Sequence, residues 1–397
     1  MRVLVLNSGS SSIKYCVYDM GNESLLVSGK IDRIGGSGSS SVFRIYTASG
    51  NIKENKKNVP VADHTSGLKL ILTLLEKNNQ AERMDALFAI GHRVVHGGDI
   101  FQESVLISDE VIDKIRNTIP LAPLHNPVNL AGIETMRHLC PQVPQVAVFD
   151  SAFFRSLPAH SYRYALPENM FQYHIRRYGF HGISHHYVAR QAADILHQPL
   201  ETLRLITLHL GNGASAAAIR EGVCIDTSMG MTPLEGLIMG TRCGDIDPSI
   251  HFYLARSLGM NFDEIELLLN NESGLKGLCG VSDMREVHRL ANDGNEQARL
   301  AIDMYCYRIV KYVGAYYAIL GGLDALVFTA GIGEHDPMIR QSICKRLSVL
   351  SINLNDKRNQ DSASIISDGD SPVKVLVIRT NEELEIARQT VSIMNRN

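Results

Sequence analysis

Val3-Leu4-Val5-Leu6 runs straight into Asn7-Ser8-Gly9-Ser10-Ser11-Ser12 and on to Ile13-Lys14-Tyr15-Cys16-Val17-Tyr18. The pattern returns in mid-chain, where Leu205-Ile206-Thr207-Leu208-His209-Leu210 meets Gly211-Asn212-Gly213-Ala214-Ser215 and then Ala216-Ala217-Ala218-Ile219. Each stretch reads as strand, tight polar turn, strand. Small residues at such a turn let backbone N–H groups come close to an anion. Two such turns, about 200 residues apart, suggest a duplicated domain with a phosphate compound held between the halves. Two ordinary hairpins would look the same on shape alone.

Working outward, residues 1–60 are β-rich. The Gly35-Gly36-Ser37-Gly38-Ser39-Ser40 stretch lacks an apolar strand feeding it and reads as a surface hairpin loop rather than a phosphate loop. Residues 65–78 carry helical spacing through Leu68, Leu70, Ile71, Leu74 and Leu75. Ala86 to Ile90 and Val146 to Phe149 read as buried strands, leading to Gly91-His92-Arg93 and to Asp150. Helices are expected over 108–118 and 127–139, the second capped by Asn126 ahead of Pro127. In the second half, strands are expected at 205–210, 215–220 and 223–227, and helices at 248–258, 262–270 and 293–320. Ala325 to Thr329 is a strand entering an Ala330-Gly331-Ile332-Gly333-Glu334 turn; Val373 to Ile378 is the last strand, and 382–394 a closing helix. The order three strands, helix, strand, helix, strand thus occurs twice and predicts an α/β fold with mixed sheets. Ligands gather at strand ends in such sheets, and Asn7, Arg93, Asp150, His209 and the 330–334 turn all sit there.

The bulk numbers exclude several classes. The chain has 397 residues, 45% apolar and 20% charged, with a net charge of −3. That is an ordinary globular composition with no general pull toward nucleic acid or anionic membrane. Seven scattered cysteines without a Cys-x-x-Cys pair argue for reduced thiols in the cytoplasm, not a disulfide frame or zinc site. No run approaches the about 18 apolar residues of a membrane span, and the N-terminal apolar run is too short for a signal peptide.

No Gly-x-x-x-x-Gly-Lys-Ser/Thr loop, protein-kinase motif set, His-Glu-x-x-His or Gly-x-Ser-x-Gly elbow is present. His92/His96 and His181/His185 have metal-ligand spacing, but each pair lies in glycine-rich, turn-like sequence, and metal ligation is not expected. More informative are Arg93, in Gly91-His-Arg-Val-Val-His-Gly-Gly98, and Arg242, in Met239-Gly-Thr-Arg-Cys-Gly-Asp245. An arginine among glycines and apolar residues is well placed to clamp a carboxylate or phosphate with its planar fork. The alternative is a structural pair with a buried aspartate such as Asp150 or Asp245.

Asn7-Ser-Gly-Ser-Ser-Ser-Ile-Lys14, Gly91 to Gly98, Ala122-Pro-Leu-His-Asn-Pro127, Arg177-Tyr-Gly-Phe-His-Gly182, His209-Leu-Gly-Asn-Gly213, Asp226-Thr-Ser-Met-Gly-Met-Thr-Pro-Leu-Glu-Gly236 and Thr380-Asn-Glu-Glu383 together resemble the acetate kinase family, which includes short-chain propionate kinases. The likeness runs in order from residue 1 to about 390. It implies duplicated ribonuclease-H-like domains of the actin-like ATPase fold, with an active-site cleft between them. One domain would span 1–150, completed by helix 384–397, and the other 151–383. The implied reaction is reversible phosphoryl transfer between ATP and a short carboxylate with Mg²⁺, for which Mn²⁺ can substitute, in a cytoplasmic homodimer.

The resemblance also implies roles. Asn7 and Glu382 would hold Mg²⁺, and Lys14 would meet the nucleotide phosphates. Arg93 and Arg242 would grip the carboxylate and the moving phosphoryl group. His181 and His209 would donate hydrogen bonds to that group, Asn212 would position it, and Asp150 would orient Arg93 or a histidine. His209, Leu210, Gly211, Asn212 and Gly213, then Asp283, Met284 and Arg285, then Ala330, Gly331, Ile332, Gly333 and Glu334 would cradle ATP. Val95, Leu124, Phe180 and Pro233 would wall the acyl pocket, with His125 nearby. Val95 stands where propionate-preferring members tend to carry alanine, which favours acetate, with measurable propionate turnover. Two departures stand near the site: Phe154-Arg155, where the family reads His-Gln, and His335, where asparagine is usual. A sugar kinase of the same superfamily and a nucleotide-dependent filament protein are the competing readings. The first would need a catalytic aspartate as base, and the second would not depend on Arg93 or Arg242.

Overall fold

The computed structural model describes residues 1–36, 38–46, 52–77 and 87–396. It divides into two compact units, Met1–Arg155 with Asn381–Asn397, and Ser156–Thr380.

In the first unit, β1 (Arg2–Gly9) and β2 (Ser12–Asp19) form the opening hairpin, with Asn7 opposite Lys14 and Gly9 opposite Ser12. The antiparallel run continues through β3 (Ser24–Asp32), β4 (Ser40–Tyr46) and β5 (Ile52–Asn58). On the other side of β1, β6 (Leu87–Val94) pairs in parallel. A short β7 (Val105–Leu106) lies beyond β8 (Gln145–Phe149), itself parallel to β6. The order is β5-β4-β3-β2-β1-β6-β8-β7.

Both faces of β1 are covered, which is why Val3 to Leu6 form an unbroken apolar run. Alternation sends Leu4 and Leu6 into a cluster with Leu68, Ile71 and Leu75 of helix His64–Lys77 and Met136 of helix Asn126–Leu139. The opposite face, where Val5 neighbours Gly91, is covered by the C-terminal helix Glu382–Met394. A Cβ on Gly91 would fall 2.4 Å from Thr390 Oγ1 and 2.8 Å from Ile386 Cγ2. Gly91 is therefore required for close approach of that helix. The loop expected at Gly35–Ser40 joins antiparallel β3 and β4; its Ser37, Asn78 of the first expected helix and Ala86 of the expected strand lie outside the described residues.

The second unit repeats the plan. β9 (Arg204–Leu210), β10 (Ala214–Arg220) and β11 (Val223–Thr227) are antiparallel; β12 (Ala325–Thr329) and β13 (Lys374–Val377) join β9 in parallel. The order β11-β10-β9-β12-β13 matches β3-β2-β1-β6-β8 strand for strand and direction for direction. The duplication suggested by the two turns is present in the topology.

Two local expectations are corrected and two helices are added. Helix Glu296–Leu320 starts three residues later than 293, because Gly294 takes φ +94° and Asn295 caps the helix by accepting from Ala298 N at 2.9 Å. Between 271 and 293 the structure has helices Gly274–Cys279 and Met284–Asn292, both too short for a periodic signal to stand out. The 330–334 segment is one short helix, Ala330–His335, entered through Ala330 at φ +64°.

Candidate active site

In the first unit the ends of β1, β6 and β8 bring Asn7, Arg93 and Asp150 together. The Arg93 fork closes on Asp150: Nη2 donates to Oδ2 at 2.5 Å and Nε to both oxygens at 3.1 and 3.2 Å. Arg93 Nη1 donates to Asn7 Oδ1 at 3.2 Å. Asp150 is 1% exposed, whereas the Arg93 side chain keeps 20%. Burial acts to lower the Arg93 pKa, but Asp150, Glu382 and Glu383 more than offset it and hold the guanidinium firmly charged. Arg93 is thus paired with Asp150, with the rest of its fork turned to Asn7.

Glu382 opens the C-terminal helix. Burial raises its carboxyl pKa, as do Asp150 and Glu383, while Arg93 and Lys14 pull the other way. Three acids, Asp150, Glu382 and Glu383, and two bases, Arg93 and Lys14, thus act on one another here. Among the described residues no group of three or more acids, histidines or cysteines forms a metal cage. Mg²⁺ typically takes only one or two carboxylates and fills its shell with water and phosphate oxygens. The hard oxygens of Asn7 and Glu382 fit that mode.

Two asparagines escaped the sequence reading. Asn126 is not the cap of its helix, since His125 holds that position without a side-chain bond. Instead the Asn126 amide accepts from His96 N at 3.1 Å and donates to His96 O at 2.8 Å and to Thr118 Oγ1 at 2.8 Å. Asn129 accepts from Val95 N at 3.1 Å and donates to Ser8 O at 2.7 Å. These amides tie the glycine turn after β1 to the turn after β6 and set Val95 in place. The only sequence signal was the Asn126/Asn129 spacing of three, which puts both on one helix face. Val95 is buried, while Leu124 is 61% exposed. Of the departures, Phe154 is buried and Arg155 donates to Gln102 O at 3.1 Å.

In the second unit the turn Gly211–Gly213 sits among charged and polar tips. His181, at φ +59° ahead of helix Gly182–Leu196, stacks on His209 with ring centroids 4.1 Å apart. His181 Nδ1 bonds Ser215 Oγ at 2.9 Å, and His209 Nδ1 bonds Ser184 Oγ at 2.8 Å. A Cβ on Gly213 would lie 3.4 Å from His181 Nε2 and 3.7 Å from Arg242 Nη1. A Cβ on Gly240 would strike Asn212 Oδ1 at 2.0 Å and lie 3.2 Å from Ser282 O. His209 is the register partner of Thr329, so Ala330 begins beside this turn. The structure therefore brings His181, His209, Leu210 to Gly213, Arg242, the start of Asp283–Arg285 and Ala330 to one end of one sheet.

Arg242 differs from Arg93. Its Nη1 donates to Pro233 O at 3.3 Å and approaches Met239 Sδ at 3.6 Å. Among the described residues it has no carboxylate partner, and burial alone pulls its pKa below the ordinary value. Asp245 accepts instead from Gly236 N at 2.8 Å and Tyr312 OH at 2.9 Å. Arg242 is an uncompensated cation, the electrostatic state expected of a group that awaits an anion. Phe180 is buried two residues before the helix Gly182–Leu196.

The remaining expected nucleotide residues are partly engaged in structure. Asp283 caps helix Met284–Asn292 and pairs with Arg285 at 2.5 Å, which holds its carboxyl down at about 2. Met284 is buried. The Glu334 carboxylate accepts from Ala330 N at 2.9 Å and Thr380 N at 3.1 Å, so it braces the 330–334 backbone. Fully buried Arg340, which no sequence pattern marked, donates to the carbonyls of Gly333 and Glu334 at 2.9 and 3.0 Å. His335 is exposed. His185, the spaced partner of His181, bonds Thr207 and Ser215.

Sheets of order 3-2-1-4-5, present twice and carrying charged tips at the ends of the parallel strands, define the ribonuclease-H-like, actin-like class of α/β proteins. Within that class the match is specific: the Acetokinase family model covers residues 2–388, and the chain belongs to this family. It is 51% identical to an acetate kinase of Syntrophobacter fumaroxidans, over 100% of this chain and 98% of that protein. The crystal structure of Porphyromonas gingivalis acetate kinase matches with TM-score 0.90 at 44% identity, over 99% of each chain. That of a propionate kinase from Francisella tularensis matches with TM-score 0.93 at 42% identity, also over 99% of each.

Proposed function

We propose that this protein transfers the γ-phosphoryl group of ATP reversibly to acetate, giving acetyl phosphate and ADP by direct in-line displacement. The observation that carries the reading is Arg242, a guanidinium with no acidic partner among the described residues, set beside two stacked imidazoles at a glycine turn. It stands in a chain 51% identical to an acetate kinase from end to end.

The chemistry asks for little more. A free carboxylate has a pKa near about 4, like Asp or Glu, so at neutral pH it is already a nucleophile and needs no general base. The difficulty is to join two anions and stabilise charge on the equatorial phosphoryl oxygens. Arg242 and Arg93 grip the carboxylate and the phosphoryl group, and Asp150 fixes the Arg93 fork. His181 and His209 donate hydrogen bonds to the phosphoryl oxygens, and Asn212 positions them. Lys14 meets the phosphates, and segments 209–213, 283–285 and 330–334 cradle ATP. Asn7 and Glu382 would hold Mg²⁺, or Mn²⁺ in its place, which would supply Lewis-acid neutralisation of phosphate charge.

Acetate is the preferred acid because Val95 occupies the space of one methyl group. An apolar pocket discriminates one methylene by about 10–200-fold, so propionate is a slower substrate. The 42% likeness to a propionate kinase supports the alternative preference. A cytoplasmic homodimer fits the exposed apolar side chains Leu300, Met304 and Tyr307 on helix Glu296–Leu320. The test is the initial rate of acyl phosphate formation with ATP and Mg²⁺ across acetate, propionate and butyrate. The highest kcat/KM is expected for acetate. The highest for propionate would keep the mechanism and overturn the Val95 argument, and no acyl phosphate from any acid would overturn the kinase reading.

A further inference from the structure

Behind the stacked histidines lies a buried chain of hydroxyls and imidazoles. Thr207 Oγ1 is 2.7 Å from His185 Nδ1, His185 Nε2 is 2.8 Å from Ser215 Oγ, and the same oxygen is 2.9 Å from His181 Nδ1. Thr207, His185 and Ser215 are each 0% exposed, so each proton needs an acceptor within the protein. A neutral imidazole has one donor and one acceptor nitrogen, and a hydroxyl has one proton. Burial and the neighbouring His209 keep His185 in that neutral form.

The chain can run in either of two directions. In the first, Thr207 donates to His185 Nδ1, His185 Nε2–H donates to Ser215, and Ser215 donates to His181 Nδ1. The proton of neutral His181 then resides on Nε2. In the reverse direction His181 Nδ1–H donates to Ser215, Ser215 to His185 Nε2, and His185 Nδ1–H to Thr207. The buried Thr207 hydroxyl proton is then stranded, since among the described residues His185 Nδ1 is the acceptor placed for it. Only the first direction satisfies every proton. A second chain links Thr380 Oγ1 to Ser184 Oγ at 2.8 Å and Ser184 Oγ to His209 Nδ1 at 2.8 Å.

We propose that Thr207, His185 and Ser215 are positioning residues that lock His181 in its Nε2–H tautomer, so that a neutral N–H is offered to the phosphoryl group. The last clause rests on the kinase reading; the tautomer does not. Two neutral rings at 4.1 Å also stack without the repulsion that two imidazolium ions would suffer.

The test is two-bond ¹⁵N–¹H correlation of the full-length protein labelled at histidine, with the His181 signals assigned by their loss in His181→Gln. Wild-type His181 is expected as the Nε2–H tautomer. Thr207→Val should shift it toward Nδ1–H. It should also lower kcat about tenfold, part of the roughly 100–1,000-fold lost with a whole donor, with KM for ATP and acetate unchanged. Thr207→Ser keeps the hydroxyl and should restore both. An Nδ1–H or doubly protonated His181 in the wild type, or a Thr207→Val protein with unaltered tautomer, overturns the proposal. A shifted tautomer with unaltered kcat upholds the relay and counts against His181 in phosphoryl transfer.

Discussion

Arg93 carries its own counter-charge and Arg242 does not, and substitution should expose the difference. Arg93→Ala would strand the buried Asp150 carboxylate. Breaking a buried pair costs about 3–5 kcal/mol, and the partial exposure of Arg93 puts this case at the low end. The variant should therefore lose both turnover and stability. Adding Asp150→Asn should restore most of the urea midpoint and none of the activity, because the stranded charge is gone but the fork is still missing. Arg242→Ala strands no charge, since the partners of Arg242 among the described residues are a carbonyl and a thioether. Its urea midpoint should match wild type while kcat/KM falls about 100–1,000-fold. A large loss of stability in Arg242→Ala would show that the guanidinium is structural and remove it from the mechanism.

At the scale of elements, the strand ends matter because helices press on both sides of each sheet. Gly91→Ala is expected to destabilise the first unit by about 1–3 kcal/mol through overpacking, as the new Cβ meets Thr390 and Ile386 of the closing helix. Thr390→Ala should relieve part of that loss, since among the described residues the Thr390 hydroxyl bonds back to Ile386 O alone. Thermal midpoints of the single and double variants check both statements. Strand and turn were legible here because an apolar run ending in glycine is a strong local signal: β2, β9 and β10 fall within a residue of expectation, while β1 runs on from Leu6 to Gly9, into the expected turn. The arginines were legible through their glycine neighbours. What could not be read was anything set by distant partners. Asn126 looks like a helix cap locally but serves the turn at His96. Arg340 looks like a surface helix residue but is buried against the carbonyls of Gly333 and Glu334. The choice of Arg93 rather than a histidine as the partner of Asp150, and the lack of an Arg242–Asp245 pair among the described residues, likewise depend on tertiary placement.

Across the whole molecule, two copies of one sheet topology carry different chemistry on equivalent strands: Asn7 and Arg93 near the ends of β1 and β6, His209 and Ala330 at and beyond those of β9 and β12. Each copy also buries a neutral histidine on or against its sheet, His92 on β6 and His185 beside β9. Burial lowers the His92 pKa from 6.5 to about 4, only partly offset by its bond to Gln145 Oε1, and His185 is pushed well below its ordinary value. Both folded pKa values lie below the unfolded ones. Between the two values the unfolded chain binds a proton that the folded chain refuses, so stability is full above about pH 6.5 and falls as the solution is acidified. At about 1.4 kcal/mol per pH unit, His92 should remove roughly 2 kcal/mol between pH 6.5 and 5, and His185 acts in the same direction. Urea midpoints measured from pH 7 down to 5 should therefore decline for the wild type. His92→Gln, whose amide can still donate to Gln145, should flatten the decline by about the share of one group. An unchanged slope in that variant would mean that His92 is already charged in the folded protein, and that the acid sensitivity arises elsewhere.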